Sequence, residues 1–351
     1  MKMPGWKAIL VLVLVLSAAG AGAFFVTRGA PSTTTSSSPF VVSVYNPSKS
    51  YNGTTLFTDT HDRENPKIYE VDMNGNVVWE FTIPDNWTPS GTIVGFDAEV
   101  LSDNHILISI SNSGVYEITR SGNLVWSKLD QKNSHDADRL SNGNTIYVFG
   151  NDDQESDAAV KEVNSSGTLV WSWYVKDNYQ QRFPLAQYYN GGWAHTNAVQ
   201  RLSNGNTMIS MRNFYLTTIV DSNGKVVKEY DWSSFGTDVD PHEPEIHENE
   251  GFIIVCLQND SPHVVVKAWL ENGQTFWTYR NTNLRTTRDA DPLPNGNVQI
   301  VAVNTEGTSS MADDVSTIIE VTPSGEIVWQ LELQSTKVGQ NPGFFYKAQR
   351  I

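Results

Sequence analysis

The sequence predicts an all-β fold, a six-bladed β-propeller whose ring is closed by pairing of its N- and C-terminal strands. Three observations predict it. A strand, a glycine-containing turn and an apolar strand recur six times after residue 51, and five complete copies of a second phrase alternate with them. The missing sixth copy of the second phrase is split between the two ends of the repeat region. A period of about fifty residues made of short strands and Asn-Gly or Ser-Gly turns is typical of propeller blades.

The first thirty residues precede the repeats and differ from them in composition. Lys2 and Lys7 stand before an uncharged run, residues 8–26, which Arg28 follows. The run is long enough for one helix to cross a bilayer, and the lysines before it direct everything after Arg28 out of the cytoplasm. We expect residues 1–30 to form a transmembrane anchor or a signal peptide cleaved near Ala21-Gly22-Ala23. Both alternatives export the rest of the chain.

Residues 31–50 are rich in serine and threonine and predict a stalk that holds the propeller, residues 51–351, away from the membrane. Within the stalk, the apolar stretch Phe40 to Val44 could add an edge strand to the propeller. The chain has a formal net charge of −15, although its first fifty residues contain four basic and no acidic side chains. The strongly acidic propeller argues against a nucleic-acid partner. The single cysteine, Cys256, excludes an internal disulfide and predicts a buried apolar role.

The first repeated phrase supplies the two outer strands of each blade. It reads IYEVDMNGNVVWEF from Ile68 and IIEVTPSGEIVWQL from Ile318, with four further copies between them. A tryptophan occupies the same strand position in five of the six copies, and Lys228 replaces it in the fourth; the tryptophans are Trp79, Trp126, Trp171, Trp277 and Trp329. The fixed position predicts that these indoles pack between blades.

The second phrase supplies the two inner strands, as in HDADRLSNGNTIYVF from His135 and HEPEIHENEGFIIVC from His242. Residues 346–351 match its first half, and the segment from Tyr51 matches its second half. Joining these halves closes the ring and removes its open edges.

The innermost strand of each blade lines the channel of a propeller, so we expect the starts of these strands to gather at one mouth. Those starts are Phe96, His135, Asn197, His242, Arg288 and Tyr346. His195 precedes Asn197 by two residues and is therefore expected on the same face of its strand. The Asn204-Gly205 turn predicts that Arg212 lies directly opposite Asn197. Lys347 is a further candidate, although Lys347 and Arg288 could equally pair with nearby acids.

Imidazoles and guanidinium groups in a partly enclosed pocket suit a tetrahedral anion. Arginine can bind two oxygens of such an anion at once, and a neutral histidine can attack it or carry a proton. Sulfate and phosphate esters are therefore the expected substrates. Since the exterior is acidic, the cationic pocket should be confined to the channel mouth.

HDADRLSNGNTIYV at His135, HTNAVQRLSNGNTMISMRN at His195 and PHEPEI around His242 resemble the arylsulfotransferase family, whose enzymes work without a phosphoadenosine cofactor. The resemblance covers the whole propeller. It implies an enzyme without cofactor or metal that moves a sulfuryl group from an aryl sulfate to a phenol through a sulfohistidine.

Residue by residue, the resemblance implies that His242 is the nucleophile and that His195 and Arg212 bind the sulfuryl and leaving oxygens. His135 is expected to assist them. The predicted substrate-binding residues are Asn197, Arg288, Tyr346, Phe96 and Lys347. The better-known enzymes of the family also carry an N-terminal β-sandwich and a disulfide, from which this chain departs.

Two other classes of function remain open from the sequence. A histidine at the start of an inner strand is often a structural residue, so the chain could be a non-catalytic surface propeller that binds a glycan or a protein. Three histidines could also hold a divalent ion, which is the alternative of a metal or quinone enzyme.

Overall fold

A computed structural model describes residues 38–88, 95–236, 239–258, 263–304, 315–333 and 345–351. Within these ranges, 25 strands form six antiparallel sheets, of which five have four strands and one has five. These sheets are the six blades of the predicted propeller, so the all-β fold is confirmed.

Blades 1 to 3 each have four strands, which follow one another from the channel outwards. Blade 1 consists of Phe345–Arg350 (β25), Thr55–Asp59 (β2), Lys67–Val71 (β3) and Val77–Thr82 (β4). Blade 2 consists of Phe96–Val100 (β5), Ile106–Ile110 (β6), Gly114–Ile118 (β7) and Leu124–Leu129 (β8). Blade 3 consists of Ala137–Arg139 (β9), Thr145–Val148 (β10), Val160–Val163 (β11) and Leu169–Trp173 (β12).

Blades 4 to 6 follow the same order. Blade 4 consists of Thr196–Arg201 (β13), Thr207–Met211 (β14), Leu216–Val220 (β15) and Val226–Asp231 (β16). Blade 5 consists of Asp240–His247 (β17), Phe252–Gln258 (β18), Val264–Trp269 (β19) and Thr275–Arg280 (β20). Blade 6 consists of Leu284–Pro292 (β21), Val298–Asn304 (β22), Val315–Val321 (β23), Ile327–Leu333 (β24) and Phe40–Tyr45 (β1). Two short helices, Lys176–Tyr179 (α1) and Leu185–Tyr188 (α2), lie between blades 3 and 4.

The two ends of the repeat region meet in blade 1. Strand β25 pairs with β2, with Arg350 opposite Thr55 and Ala348 opposite Phe57. The main chains of Ile351 and Thr54 exchange two further hydrogen bonds, of 2.8 and 3.0 Å. The split repeat therefore closes the ring as predicted. Strand β1 pairs with β24 as an outermost fifth strand, so the expected edge strand from Phe40 is confirmed and the sheet begins within the range 31–50.

The middle strands form the core because their apolar residues face a neighbouring blade on both sides. Every residue of β2, β6, β7, β14 and β15 is buried. The outer strands β4 and β8 instead have intermediate and exposed residues. Cys256 in β18 is 0% exposed and packs in the core between blades 5 and 6, as expected for a small apolar residue.

The tryptophan series joins each blade to the next. Its side chains donate hydrogen bonds to carbonyls in the turn between the last two strands of the following blade. The donors and acceptors are Trp79 to Arg120, Trp126 to Ser165, Trp173 to Gly224, Lys228 to Glu271, Trp277 to Pro323 and Trp329 to Met73. The Lys228 ammonium thus makes the hydrogen bond between blades that a tryptophan makes elsewhere. In blade 3 the donor is Trp173, two residues beyond the predicted Trp171.

The apolar run 8–26, which predicts the N-terminal anchor or signal segment, lies outside the described residues. Among the residues that the structure describes, no helix is long and apolar enough to cross a membrane.

Candidate functional site

The three predicted histidines lie where innermost strands begin, at one mouth of the channel. His135 precedes β9, His195 immediately precedes β13, and His242 is the third residue of β17. Arg288 in β21 and Tyr346 in β25 occupy the corresponding positions of blades 6 and 1.

Irregular backbone turns these side chains towards the mouth. The pairing of the innermost strand is interrupted by a register shift in blades 1, 4, 5 and 6. Glu243 and Thr286, within two of these irregularities, have φ angles of 41° and 55°, and His195, directly before a third, has a φ angle of 50°. Such β-bulges break the strict alternation of side chains, so consecutive residues can both face the channel.

Blade 2 lacks this irregularity, and Phe96 is placed differently as a result. The pairing of β5 with β6 is regular, so alternation directs Asp97 to the channel and Phe96 to the opposite face. Phe96 is 0% exposed and packs in the hydrophobic core between blades 1 and 2. The structure therefore places this predicted substrate-binding residue in the core.

The other mouth residues form a chain of close approaches, which we call the mouth cluster: His135, His195, Arg212, His242, Arg288 and Tyr346. His242 Nε2 lies 3.4 Å from Arg288 Nη1. The Arg288 guanidinium carbon is 5.7 Å from the centre of the Tyr346 ring, which is 6.4 Å from the centre of the His135 ring. His135 Nε2 lies 3.2 Å from His195 Nε2.

Arg212 joins the cluster, but not by the predicted pairing. The turn holds three residues between Leu202 and Asn206, which shifts the hairpin register by one residue, and Ala198 pairs with Ser210. Arg212 consequently lies beyond the end of β14, where its N–H donates to the carbonyl of His195 at 3.3 Å. The prediction that Arg212 lies opposite Asn197 is wrong, and Arg212 instead lies next to His195.

Residues 174–194, in the segment between β12 and β13, contain α1 and α2 and are called the insertion. The insertion fixes both His195 and Arg212. The carbonyl of Gly191 accepts a hydrogen bond from His195 Nδ1 at 2.8 Å, and the carbonyl of Asn190 accepts one from Arg212 Nη2 at 2.6 Å. Trp193 anchors the insertion, because its buried indole donates to the Phe183 carbonyl at 2.7 Å. Sequence reasoning missed these carbonyls. A sequence signal for the insertion exists, because the spacing between equivalent positions of the repeat is longest between Trp171 in blade 3 and Lys228 in blade 4.

Hydrogen bonds to Asp153 also fix the backbone of His195. The buried Asp153 carboxylate accepts the N–H groups of Ala194 and His195, each at 3.1 Å. Burial raises the pKa of Asp153 to about 7. Gly150 packs directly against this segment, and a Cβ there would overlap the backbone of His195 and Thr196.

Asn197 connects blade 4 to blade 5 by a hydrogen bond. Its side chain is 0% exposed, and its Nδ2 donates to the carbonyl of Pro241 at 2.8 Å. Pro241 directly precedes His242, so this bond fixes the chain that carries the candidate nucleophile.

The histidines of the mouth cluster are held neutral. Burial lowers the pKa of His195 to about 3, and the positive Arg212 adds to the effect. Burial likewise lowers the pKa values of His135 and His242 well below the ordinary value, with Arg288 the next cause for His242. Burial raises the pKa of the Tyr346 phenol. Neutral imidazoles have the free electron pair that nucleophilic attack or proton uptake needs.

The hydrogen bonds assign the protons on these rings. Since Gly191 offers a carbonyl, His195 Nδ1 must carry a proton, which leaves an electron pair on Nε2. His135 Nε2 then donates to His195, so the electron pair of His135 is on Nδ1. Arg288 can only donate, so the electron pair of His242 is on Nε2, the atom that faces the guanidinium.

Lys347 does not join the mouth cluster. Its ammonium lies 2.7 Å from Asp136, 3.0 Å from Glu243 and 3.4 Å from Asp97, in the channel below the histidines. Three carboxylates thus engage the charge that was predicted to bind substrate. The alternative that Lys347 pairs with nearby acids is therefore confirmed.

The alternative of a three-histidine metal site gains no support. Within the described ranges, the group of three ligands close enough for one ion is Asp103 and His105, in the turn between β5 and β6, with Glu117 in β7. His135, His195 and His242 do not form such a group.

Fold and site together define a six-bladed propeller with a buried cluster of neutral imidazoles and two guanidinium groups at one mouth of its channel. The arylsulfotransferase (ASST) family model matches residues 41–216, about half of the chain, and the protein belongs to this family. The family is that of aryl sulfotransferases, so the protein is an enzyme of the transferase class. The matched range contains His135, His195 and Arg212 and ends before His242.

Solved structures support the fold. A protein of unknown function from Bacteroides caccae has a TM-score of 0.58 at 16% sequence identity, covering 84% of this chain and 98% of its own. A streptogramin B lyase has a TM-score of 0.52 at 13% identity, covering 88% of this chain and 92% of its own. At these identities the similarity concerns the fold alone. No curated protein matches the sequence significantly.

Proposed function

We propose that the protein transfers a sulfuryl group from an aryl sulfate ester to a phenolic acceptor in two steps, through a sulfohistidine at His242. The observation that carries the proposal is the pairing of His242 Nε2 with Arg288 Nη1 at 3.4 Å in a buried position. A sulfuryl group placed between these two side chains would meet an electron pair on one side and an N–H donor on the other.

In the first step, the electron pair of His242 Nε2 attacks sulfur. The N–S bond forms while the S–O bond to the aryl group breaks, and the aryl oxygen leaves with the electron pair as a phenolate. Arg288 stabilises the charge on the sulfuryl oxygens, and Arg212, which His195 and the insertion hold in place, stabilises the phenolate.

In the second step, an acceptor phenol attacks the same sulfur and the N–S bond breaks, which restores His242. The acceptor must lose a proton, and the free electron pair on His135 Nδ1 can take it. That atom is buried and has no hydrogen-bond partner among the described residues. The proton passes to solvent and balances the phenolate released in the first step.

The test is a transfer assay with a chromogenic aryl sulfate and a phenol. We expect His242→Asn to lower kcat by at least about a thousandfold, because nucleophile loss removes the covalent route. Arg288→Lys should also lower kcat, because lysine lacks the planar fork. The matched control is His247→Asn, in the same strand but paired with Glu245 at 3.1 Å, and it should retain activity. Unchanged turnover in His242→Asn would refute the proposal.

We also propose that residues 1–30 direct export of the chain, either as a membrane anchor or as a cleaved signal peptide. The motivating pattern is Lys2 and Lys7 before the apolar run and Arg28 after it. Fractionation of cells that express the full chain, with mass measurement of its N-terminus, separates an anchor from a cleaved signal. Recovery of the intact chain in the cytoplasmic fraction would contradict both.

A further inference from the structure

A second polar site lies in the channel below the mouth cluster. The channel-facing positions of the innermost strands line a cavity of about 350 Å³, which we call the acidic cavity. Its lining includes the carboxylates of Asp97, Glu99, Asp136, Asp138, Glu243, Glu245, Asp289 and Asp291. The sequence repeats this feature as the pattern Asp/Glu-x-Asp/Glu in blades 2, 3, 5 and 6.

The cationic side chains that line this cavity do not balance its acids. They are Lys347 and Arg350. Arg350 belongs to another ion pair, since it lies 3.4 Å from Glu320 with both side chains 0% exposed. Among the acids, Glu245 is 45% exposed and pairs with His247. The remaining seven carboxylates line the cavity with one ammonium, that of Lys347, which contacts three of them, Asp97, Asp136 and Glu243.

Part of this arrangement ties neighbouring blades together. Asp136 accepts the N–H of Val199 at 2.7 Å, and Asp289 accepts that of Ala348 at 2.9 Å. Gln349, which also lines the acidic cavity, accepts the N–H of Val100 at 2.8 Å. Because a neutral glutamine can make this tie, joining the blades does not by itself require so many carboxylates.

Glu243 supplies a separate indication of a ligand. The residue is 5% exposed and lines the acidic cavity. Its Oε2 pairs with Lys347, whereas its Oε1 is buried and has no hydrogen-bond partner among the described residues. A buried carboxylate oxygen without a donor is costly unless a cation or an ordered water meets it.

We propose that the acidic cavity binds one partly hydrated divalent cation, Mg²⁺ or Ca²⁺. Carboxylate and amide oxygens are the ligands of such hard cations. No three of the cavity carboxylates come close enough to contact one ion directly, since the described group with that spacing is Asp103, His105 and Glu117. The ion therefore keeps several waters, for which the cavity has room, and contacts one or two carboxylates directly, as Mg²⁺ commonly does. The site is independent of sulfuryl transfer.

The test is calorimetric titration of the full chain, stripped with EDTA, with MgCl₂ or CaCl₂. We expect about one ion per chain. Asp138→Asn and Asp291→Asn should weaken the affinity about 10- to 100-fold, the usual effect of altering groups that act on a metal through bound water. Gln349→Glu should strengthen it, because this variant keeps the acceptor for Val100 and adds a carboxylate to the cavity.

The control is Asp103→Asn, which removes one member of the competing group on blade 2 and should leave the affinity unchanged. Circular dichroism checks that each variant is folded. Absence of cation binding by the stripped wild-type chain overturns the proposal, whatever the variants do. Loss of binding in Asp103→Asn but not in the cavity variants overturns it as well.

Discussion

His135 and His195 face each other with their Nε2 atoms 3.2 Å apart, so a single proton lies between the two rings. Two imidazolium ions at this distance would repel each other in a buried site already flanked by Arg212 and Arg288. The pair is therefore neutral as a whole, with His195 fixed by the Gly191 carbonyl. This relationship links the fold of the insertion to the chemistry of the mouth.

The first prediction concerns the pH dependence of stability. The pKa of His195 is about 3 in the folded protein, compared with about 6.5 in the unfolded chain. As the pH falls below about 6.5, the unfolded chain gains a proton that the folded one does not, so stability present above that pH is lost. His195→Asn removes this loss. As the pH is lowered from 6 to 4, the free energy of unfolding of His195→Asn, measured with urea, should rise relative to that of wild type by about 1.4 kcal/mol per pH unit. If the free energies of unfolding of the variant and of wild type changed in parallel with pH, the prediction would be wrong.

The second prediction concerns Gly150. Its replacement by alanine would drive a Cβ into the backbone of His195 and Thr196, so this segment must move. We expect a loss of about 2 kcal/mol or more in the free energy of unfolding and a reduced kcat. Gly143→Ala is the comparison, because a Cβ there meets no atom within 4 Å and only its φ of 84° is unfavourable. It should cost about 1 kcal/mol and leave kcat unchanged. Equal kcat values for the two variants would contradict the assigned role of Gly150.

The third prediction tests the ties between blades. Trp173 donates to the Gly224 carbonyl at 3.0 Å and is 3% exposed, whereas Trp171 in the same strand makes no such tie. Trp173→Phe should therefore lower the free energy of unfolding by at least about 1 kcal/mol more than Trp171→Phe. Denaturant unfolding measures the difference, and a larger effect at Trp171 would contradict the structure.

The fourth prediction concerns Lys347. Removing this ammonium in Lys347→Met leaves Asp97, Asp136 and Glu243 without their cation, which should cost about 3–5 kcal/mol of stability at pH 7. The matched control is Lys49→Met. Lys49 pairs with Glu326 at 2.6 Å, but both side chains are about half exposed, so the cost should be below about 1 kcal/mol. A loss confined to substrate binding would instead favour the role that the sequence predicts for Lys347.

The sequence was sufficient to predict the blades, the closure of the ring and the gathering of most mouth residues. These depend on local alternation and on glycine turns, which repeat visibly in the chain. The split repeat predicted the pairing of β25 with β2, and the residue type at each inner-strand start pointed to His135, His195, His242 and Arg288.

The sequence could not predict features that depend on departures from regular pairing. A three-residue turn and a bulge at Asn197 moved Arg212 out of the predicted register. The regular β5 turned Phe96 into the core, although it aligns with His135 and His242. Bulges of one residue leave little trace in a single sequence. The main-chain carbonyls of Asn190 and Gly191, which position Arg212 and His195, are likewise not visible in the sequence.

In the proposed mechanism His242 carries the sulfuryl group, so this intermediate should be trappable. The full chain is mixed with an aryl sulfate in the absence of a phenol, quenched, and analysed by peptide mass spectrometry. We expect about one equivalent of phenol to be released per chain and about 80 Da to be added to the peptide that contains His242, and we expect this adduct to be lost when a phenol is supplied. Transfer activity without this adduct, or an adduct on another residue that persists in His242→Asn, would contradict the mechanism.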